Sequence, residues 1–369
     1  MTKIDVWPLR LPLQRPFILS NETLSDAPVI IVRIGSGRWE GWGESGVSKR
    51  VLGEDLQGAF YSARQVGAAM LDSTIPPGAW EEQRHQIPSR AAATAFDMAV
   101  NDLWAHRFST RFLPELPSHP RPVRSSITIT AQSPTEVRQE AHMFWREGWQ
   151  VFKLKIGAAP AKDIGRLAAL RDATPLATIR VDANGGLDWD KFESLAPALD
   201  QHSVELIEQP FPEAEIDLYR QARSTGVPVF MDEGIGSRED VDAAARASVC
   251  DGVNLKLEKA RGLLPLCEAI EAAEERGLQV MMGCFITSRL SHSALQRVVE
   301  AYPVVERVDL DGPWLLATDP IVGGSTINQG MLQQTPAVTI GHGASSNPEH
   351  LARWSVVVTR QSPPTVPLA

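Results

Sequence analysis

The sequence predicts an α/β protein: a (β/α)8-type barrel, or TIM barrel, preceded by an α+β domain of its own. Short segments that run from apolar residues into charge recur at steps of 24 to 27 residues. One strand, one helix and two short loops take about this length in such a barrel. Residues 1–118 lack the period, so we expect the barrel domain at 124–318. The reactive positions of the repeat are Lys155, Asp182, Glu208, Asp232 and Lys256.

The first domain is expected to combine strands with helices. The apolar run 29–34, the glycines after it and the segment 39–43 predict a strand, a turn and a second strand. Ser89 is a good N-cap for a helix that ends near His106 and carries alanine, phenylalanine and leucine on one face. The proline-rich stretch 113–123 predicts a linker to the barrel.

The barrel needs eight strands, and charged strand ends mark five of them. The remaining strands are expected at 126–130, 280–285 and 307–311. Helices between strands are expected at 160–173, 215–225 and 238–247, the last after the N-cap Ser237. The repeat stops near 318, so we expect segment 319–369, with a strand at 337–340, to pack back on residues 1–118 and join that domain.

Composition excludes several classes of protein. The chain is 43% hydrophobic and 22% charged, which is typical of a globular protein. Its net charge of -9 argues against a nucleic-acid surface, and no apolar run reaches the roughly 18 residues of a membrane span. The N-terminus lacks the apolar stretch of a secretory signal, and the three cysteines lie far apart. We therefore expect a cytoplasmic protein with reduced thiols and no nucleic-acid or membrane partner.

The charged strand ends share one face. Alternate residues of a strand point the same way, so Lys153 pairs with Lys155, and Asp182 with Asn184. Asn254 and Lys256 form a third such pair, while the residues between them are apolar. Charges that were merely solvated would fall on either parity. The pattern therefore predicts that these side chains point into the mouth at the C-terminal end of the barrel, where barrel enzymes place their sites.

Asp182, Glu208 and Asp232 would offer three oxygen ligands from three adjacent strands. Such a set suits Mg²⁺, one ion per active site, which leaves positions for water and substrate. No histidine or cysteine stands beside these carboxylates, which argues against zinc. Three carboxylates in a low-dielectric mouth repel one another, so a cation is required between them.

Lys155 and Lys256 end the second and sixth strands, which are opposite walls of an eight-stranded barrel. Amines on both sides of a bound substrate can remove a proton from one face of a carbon and return one to the other face. A lysine that acts as a base must be neutral, so its pKa must fall. A metal ion, desolvation and the ammonium of Lys153 would each lower that pKa.

Together these motifs resemble the enolase superfamily, specifically its muconate lactonizing enzyme subgroup, and the resemblance covers nearly the whole chain. It implies a modified barrel, an N-terminal α+β capping domain, a small-molecule substrate and a homo-oligomer. It also implies catalytic roles for Lys155, Lys256 and Lys153, with Mg²⁺ as the cofactor. The mandelate-racemase branch would carry a histidine after the seventh strand, where this chain has none in 283–288.

Within the subgroup, the resemblance is to dipeptide epimerases of the L-Ala-D/L-Glu type. Their Asp-x-Asp at the eighth strand matches Asp309 and Asp311, which implies that these carboxylates hold the N-terminal ammonium of a dipeptide. Asn184, Leu24 and Thr287 are further candidates for contact with substrate. Thr287 stands where many relatives carry glutamate, which leaves the specificity open.

The expected function is a Mg²⁺-dependent dipeptide epimerase that works by 1,1-proton transfer through an enolate intermediate. An N-acylamino acid racemase, or an o-succinylbenzoate synthase or cycloisomerase, would share its lysines and metal but would not need Asp309 and Asp311. A barrel kept only for binding should have lost a ligand or a lysine. Lys259 is expected outside the site, near the next helix, and His292 is expected to pack rather than react.

The candidate substrate loop offers Glu22, Leu24 and Asp26 and no cation. Hydrophobic or cationic second residues are therefore the hypothesis, in preference to Ala-Glu. Lys49 and Arg50, in a second loop, would reverse that preference if they faced the substrate.

Overall fold

Three long antiparallel strands begin the protein in the computed structural model, which describes residues 1–19, 22–73, 77–110, 112–113, 122–157, 159–333 and 340–355. The middle strand pairs with both neighbours. Its apolar run alternates between two cores: Val29 and Ile31 join the core that continues into the barrel, whereas Ile30 and Val32 face the helices of the N-terminal domain. The elements of this part are β1 Lys3–Ile18, β2 Thr23–Ser36, β3 Trp39–Gly46, α1 Lys49–Leu52, α2 Leu56–Met70, α3 Pro77–His85 and α4 Arg90–Phe108.

Helix α4 lies directly on strand β3. A Cβ atom at Gly43 would stand 2.0 Å from the Ala95 carbonyl oxygen, and one at Gly41 would stand 2.1 Å from that of Ala99, so only glycine permits this approach. The predicted strands at 29–34 and 39–43 are confirmed. So is the N-cap Ser89, whose Oγ accepts from the Ala92 N–H at 3.0 Å. Strand β1, with prolines tolerated because it is an edge strand, went unpredicted.

Eight parallel strands form the barrel in the order β5 to β12, each paired with the next. Residues just before β5 close the ring: Ser125 bridges Val308, and the Ser126 N–H donates to the Val308 carbonyl at 3.0 Å. The predicted barrel fold is therefore confirmed, and β6 and β10 lie on opposite walls. The strands are β5 Ile127–Ile129, β6 Val151–Lys155, β7 Thr178–Asp182, β8 Val204–Glu208, β9 Val229–Met231, β10 Gly252–Leu255, β11 Gln279–Gly283 and β12 Val305–Asp309.

Helices cover the outside of the barrel close to their predicted positions. Two predicted helices match residue for residue, and Ser237 forms a capping box with Asp240. The seventh and eighth strands end two residues earlier than expected. The helices are α5 Pro134–Arg146, α6 Pro160–Ala173, α7 Trp189–Gln201, α8 Ile216–Arg223, α9 Arg238–Ala247, α10 Leu257–Ala260, α11 Leu263–Glu275 and α12 Arg289–Ala301, with a 3₁₀ turn at Gly312–Leu315.

The C-terminal segment packs on both parts of the molecule. As expected, it returns to the N-terminal domain: Leu9 bridges Ser355, and the His342 N–H donates to Asp102 at 3.1 Å. A hairpin of the same segment instead pairs with a short strand just before β5. Residues 114–121 of the expected linker and 337–339 of the expected tail strand lie outside the described residues. The elements are β4 Val123–Arg124, β13 Ile321–Gly323, β14 Thr326–Asn328, β15 Met331–Gln333, β16 Ala344–Ser346 and α13 Pro348–Trp354.

Buried acids of the N-terminal domain bind the starts of two barrel helices. Glu44 of β3 accepts from the Ser288 and Ser291 N–H groups, at 2.9 and 3.0 Å, and from the Ser288 hydroxyl at 2.6 Å. Asp97 of α4 accepts from the Leu263 N–H at 2.7 Å. Both contacts satisfy donors that a helix start leaves unpaired. No helix among the described residues is long and apolar enough to cross a membrane.

Candidate active site

Three lysines of the barrel line a cavity of about 420 Å³ at its C-terminal mouth. Lys153 and Lys155 come from β6, and Lys256 directly follows β10, so the strand order places Lys256 across the mouth from the other two. All three side chains are at least nine-tenths buried. Buried amines that face one cavity are costly unless acids accompany them.

Those acids are Asp182, Glu208 and Asp232, at the ends of three adjacent strands. Each is buried, and their ligand oxygens lie within 4.8 Å of one another. The set contains carboxylate oxygens only, which is the donor chemistry that Mg²⁺ prefers. The three residues predicted as metal ligands are thus brought together, and they fit the ion.

Short ion pairs connect the lysines with these carboxylates. Lys155 Nζ lies 2.6 Å from Asp182 Oδ2, and Lys256 Nζ lies 2.7 Å from Asp232 Oδ2. Lys153 Nζ bridges Asp182 and Glu208, at 3.0 and 2.8 Å. Lys155 and Lys256, the two acid–base candidates, therefore each form an ion pair with a candidate metal ligand. Lys153 pairs with two of the three ligands.

Burial and crowding strongly perturb the pKa values of this cluster. Burial, together with the Asp182 charge, raises the pKa of Glu208 to about 8. Burial lowers the pKa of Lys256, but Asp232 and Glu208 more than compensate and raise it above its ordinary value. The sequence-based prediction that the pKa of a lysine base falls counts on the charge of a bound metal ion as well, so it stays a prediction. A cation on the same carboxylates would act in the opposite direction.

The two aspartates after the eighth strand have different partners. Asp309 accepts from Lys153 Nζ at 2.8 Å and from the Ser126 hydroxyl at 2.5 Å. Asp311 accepts from the Thr128 N–H at 2.7 Å, and no lysine or arginine of the described chain forms a salt bridge with it. Burial and the charge of Asp309 raise the pKa of Asp311 to about 6. Both residues line the cavity, but only Asp311 has no protein cation of its own.

Asn184 lines the cavity beside Lys155. Its Oδ1 accepts from Lys155 Nζ at 3.2 Å, and its Nδ2 donates to Glu233 Oε1 at 3.0 Å. Its backbone is left-handed, with φ of 45°, a conformation that asparagine tolerates better than most residues. The side chain is thus already engaged on both of its polar atoms.

The two remaining candidates for substrate contact differ in position. Leu24 lines the cavity from β2. Thr287 does not line it: the side chain is 1% exposed, lies beneath Gly46 of β3, and its hydroxyl donates to the Phe285 carbonyl at 3.4 Å. Thr287 follows the end of β11 by four residues, where strand alternation no longer indicates direction.

Lys259 belongs to the site, contrary to the sequence-based expectation. It does lie in α10, but its buried amine is 2.6 Å from Asp232 Oδ1 and donates to the Asn254 carbonyl at 2.9 Å. The expectation assumed strand parity beyond Lys256. Helix α10 begins at Leu257, and residues three apart share one side of a helix. His292, by contrast, is buried with its Nδ1 2.8 Å from the Ser325 hydroxyl, as expected for packing.

Gln209 is a site residue that the sequence reasoning missed. Its Oε1 accepts from the backbone N–H groups of Asp232 and Glu233, at 2.8 and 3.2 Å, which fixes the turn after β9. Its position directly after Glu208 was the available signal.

Comparisons with known proteins agree with this geometry. Residues 136–350 match the family described as enolase C-terminal domain-like. The L-Lys-D/L-Arg epimerase of Methylococcus capsulatus is 30% identical over 346 residues, 92% of this chain and 97% of that protein. The N-succinyl-L-Arg/Lys racemase of Bacillus cereus is 27% identical over 339 residues, 86% of this chain and 89% of that protein.

A solved structure shows the same fold throughout. The dipeptide epimerase from Methylococcus capsulatus, complexed with Mg and the dipeptide L-Arg-D-Lys, superposes with a TM-score of 0.85 at 28% identity. The match covers 93% of this chain and 99% of that one. The resemblance inferred from the motifs is thereby confirmed. With more than half of its length matched by the family model, this chain belongs to the enolase superfamily, in the enolase C-terminal domain-like family.

Proposed function

We propose that this protein is an isomerase: a Mg²⁺-dependent dipeptide epimerase that transfers the α-proton of the C-terminal residue. One observation carries the proposal. The amines of Lys155 and Lys256 enter one cavity from opposite walls, and both contact the carboxylate cluster at its base. Two opposed bases serve a reaction that inverts a carbon, because one face must lose a proton and the other must gain one.

Asp182, Glu208 and Asp232 would hold the Mg²⁺. When bound, the ion supplies positive charge that stabilises the negative charge developing on the substrate carboxylate as the α-proton leaves. Lys153 contacts two of these carboxylates and Asp309, so its role is to balance the charge of the cluster rather than to move the proton.

The proton transfer itself falls to the two opposed lysines. For one isomer, the neutral amine of Lys155 takes the α-proton, and the ammonium of Lys256 gives a proton to the opposite face. The roles exchange for the other isomer. Asp311 is the group left to accept the N-terminal ammonium of the dipeptide, because Asp309 is already bound to Lys153.

The alternative is an N-acylamino acid racemase, which would use the same lysines and carboxylates. The similarity of this chain to an N-succinyl-L-Arg/Lys racemase supports this alternative. An acylated amine carries no charge, so its substrate would leave the buried Asp311 carboxylate without a cation. Burial of an unpaired charge is costly, which favours the dipeptide.

We infer that the second residue of the dipeptide is hydrophobic or cationic rather than glutamate. The two arginines that line the cavity already have carboxylate partners: Arg10 lies 2.7 Å from Asp26, and Arg50 lies 2.8 Å from Glu233. Lys49 also lines the cavity, as does the acid Glu22. Glu54 accepts from Ser89 at the start of α4. Apolar side chains also line the cavity: Phe17, Leu19, Leu24, Val51, Leu56 and Leu315.

The test is mass spectrometry of pooled L,L-dipeptides incubated with enzyme and Mg²⁺ in D₂O. The expected result is a gain of one deuteron at the C-terminal residue, with hydrophobic or cationic side chains reacting fastest. Chelation with EDTA should abolish the gain, and added Mg²⁺ should restore it.

Other outcomes would redirect the proposal. Exchange confined to N-succinyl or N-acetyl amino acids would assign the racemase and leave Asp311 with a structural role. Clear preference for Ala-Glu over every other dipeptide would refute the inferred side-chain specificity but not the epimerase activity.

We further propose two domains: residues 1–118 together with 319–369 form the first, and residues 124–318 form the second. We also propose that the protein is cytoplasmic and forms a homo-oligomer. The contacts of the C-terminal segment with β1 and α4 support the division. Cys250, Cys267 and Cys284 form no disulfide, which supports a reducing compartment. Light scattering after size-exclusion chromatography would establish the number of subunits.

A further inference from the structure

Arg50 joins the N-terminal domain to the catalytic end of the barrel. It lies on the short helix α1, directly after β3, where its Nη1 approaches Glu233 Oε1 at 2.8 Å. The side chains of Arg50 and Glu233 are 28% and 11% exposed, so the pair is largely shielded from water. Glu233 directly follows the candidate metal ligand Asp232. A charged contact between the two domains therefore forms within one residue of the reactive cluster.

The same glutamate oxygen extends this contact towards Lys155. Glu233 Oε1 also accepts from Asn184 Nδ2 at 3.0 Å, which orients the asparagine amide. The opposite side of that amide, Asn184 Oδ1, then accepts from Lys155 Nζ at 3.2 Å. Three consecutive contacts thus lead from the loop of one domain to the reactive amine of the other. Shared acceptors of this kind couple the groups that bind them.

Glu233 has little freedom to move away from this position. Its backbone N–H donates to Gln209 Oε1 at 3.2 Å, which fixes the start of the side chain. Its second carboxylate oxygen is buried without a hydrogen-bond partner in the described structure. The carboxylate is therefore held chiefly through Oε1, by Arg50 and Asn184.

We propose that Arg50 is a positioning residue for Lys155, which it holds in place through Glu233 and Asn184. The inference rests on the proposed epimerase function. It implies that Lys155 is correctly positioned only when the loop that carries α1 lies against the barrel. Among the described residues Lys256 has no hydrogen-bonded connection of this kind: it contacts Asp232 and the ring of Phe285. The two bases therefore depend on the N-terminal domain to different extents.

This asymmetry gives a readout that simple damage to the fold would not produce. Each lysine removes the α-proton of one isomer, so deuterium exchange of the two isomers reports on the two bases separately. Lys155→Ala identifies the isomer that Lys155 deprotonates. In Arg50→Gln, exchange of that isomer should fall about tenfold to hundredfold, while exchange of the other changes far less. Nuclear magnetic resonance of the α-proton in D₂O measures both rates.

Matched variants complete the test. Lys49→Gln removes the same charge from the same helix, at a residue that also lines the cavity, so it should preserve the wild-type ratio of the two exchange rates even where it changes both rates. Arg50→Lys keeps the charge and should restore part of the ratio. Glu233→Gln breaks the ion pair from the barrel side and should shift the ratio in the same direction as Arg50→Gln.

The outcomes separate the inference from the function on which it rests. Equal losses for both isomers in Arg50→Gln would assign Arg50 to substrate binding and overturn the positioning role. A ratio unchanged in both Arg50→Gln and Glu233→Gln would overturn it as well. If the wild-type protein exchanged no dipeptide at all, the proposed function itself would fail.

Discussion

The barrel mouth and the N-terminal domain both bury carboxylates, but they give them different partners. In the mouth, Asp182, Glu208 and Asp232 meet the amines of lysines. In the N-terminal domain, Glu44 and Asp97 meet backbone N–H groups at the starts of barrel helices. The first set can exchange partners with a metal ion or a substrate, whereas the second set helps to hold two domains together.

The pKa of one mouth acid, Glu208, does not distinguish it from the second set, although lysine charges outweigh burial and lower the pKa values of Asp182 and Asp232. Burial raises the pKa of Glu44 to about 7 and that of Asp97 to about 6, in the same range as Glu208 at about 8. A perturbed pKa is therefore a weak guide to function in this protein. The identity and mobility of the partner separate a reactive acid from a structural one, and this distinction can be tested.

The largest effect is expected at the lysines of the mouth. Lys155→Ala and Lys256→Ala should each reduce epimerisation by about 10² to 10⁴, because each removes a group that accepts or donates the α-proton. Both variants should remain folded by circular dichroism. Lys162→Ala, at an exposed position on α6, is the control and should behave as wild type. Substantial epimerisation by either mouth variant would contradict the assignment of two opposed bases.

The next largest effect is expected at the domain interface, and it should concern stability. Glu44→Ala leaves three buried donors of α12 without an acceptor, which should lower the free energy of unfolding by about 2 to 4 kcal/mol. Activity per folded molecule should change little in comparison. Urea denaturation measures the loss, with Glu193→Ala, at an exposed position on α7, as the control. If Glu44→Ala were as stable as wild type, Glu44 would not have the structural role that distinguishes it from the carboxylates of the barrel mouth.

A smaller effect is expected from pH. The pKa of Glu44 is about 7 in the folded chain against an ordinary value of 4.5, so the folded state binds the proton more tightly than the unfolded state. The contribution to stability is therefore fully present below pH 4.5 and is lost as the pH rises towards 7. The slope is at most about 1.4 kcal/mol per pH unit. Unfolding of Glu44→Gln should lack this component, and identical pH profiles for the variant and wild type would contradict it.

Strand alternation explains how much of the site was predictable. Lys153, Lys155 and Asp182 stand on strands, where direction follows from parity, and the structure brings them together as expected. Lys259 and Thr287 stand beyond strand ends, where parity no longer applies. The eight-stranded fold was predictable for a similar reason, because each repeat contributes one local signal.

Contacts between distant segments could not be predicted in this way. Arg50 and Glu233 are 183 residues apart, and neither residue carries a local pattern that indicates the other. The same holds for Asp309, which was expected to hold a substrate ammonium but has Lys153 as its partner. Such pairings depend on how distant segments meet in the folded protein, and the sequence repeat of the barrel carries no information about that.

The closure of the barrel has a consequence for synthesis on the ribosome. The Ser126 and Val308 residues that seal the ring are 182 positions apart, so the ring cannot close until almost the whole chain has emerged. The contact between Glu44 and Ser288 spans an even longer stretch of chain, because Ser288 follows Glu44 by 244 residues. During that interval Glu44 lacks its partners at the start of α12, and its charge keeps the unfinished interface hydrated and disfavours premature association with other chains.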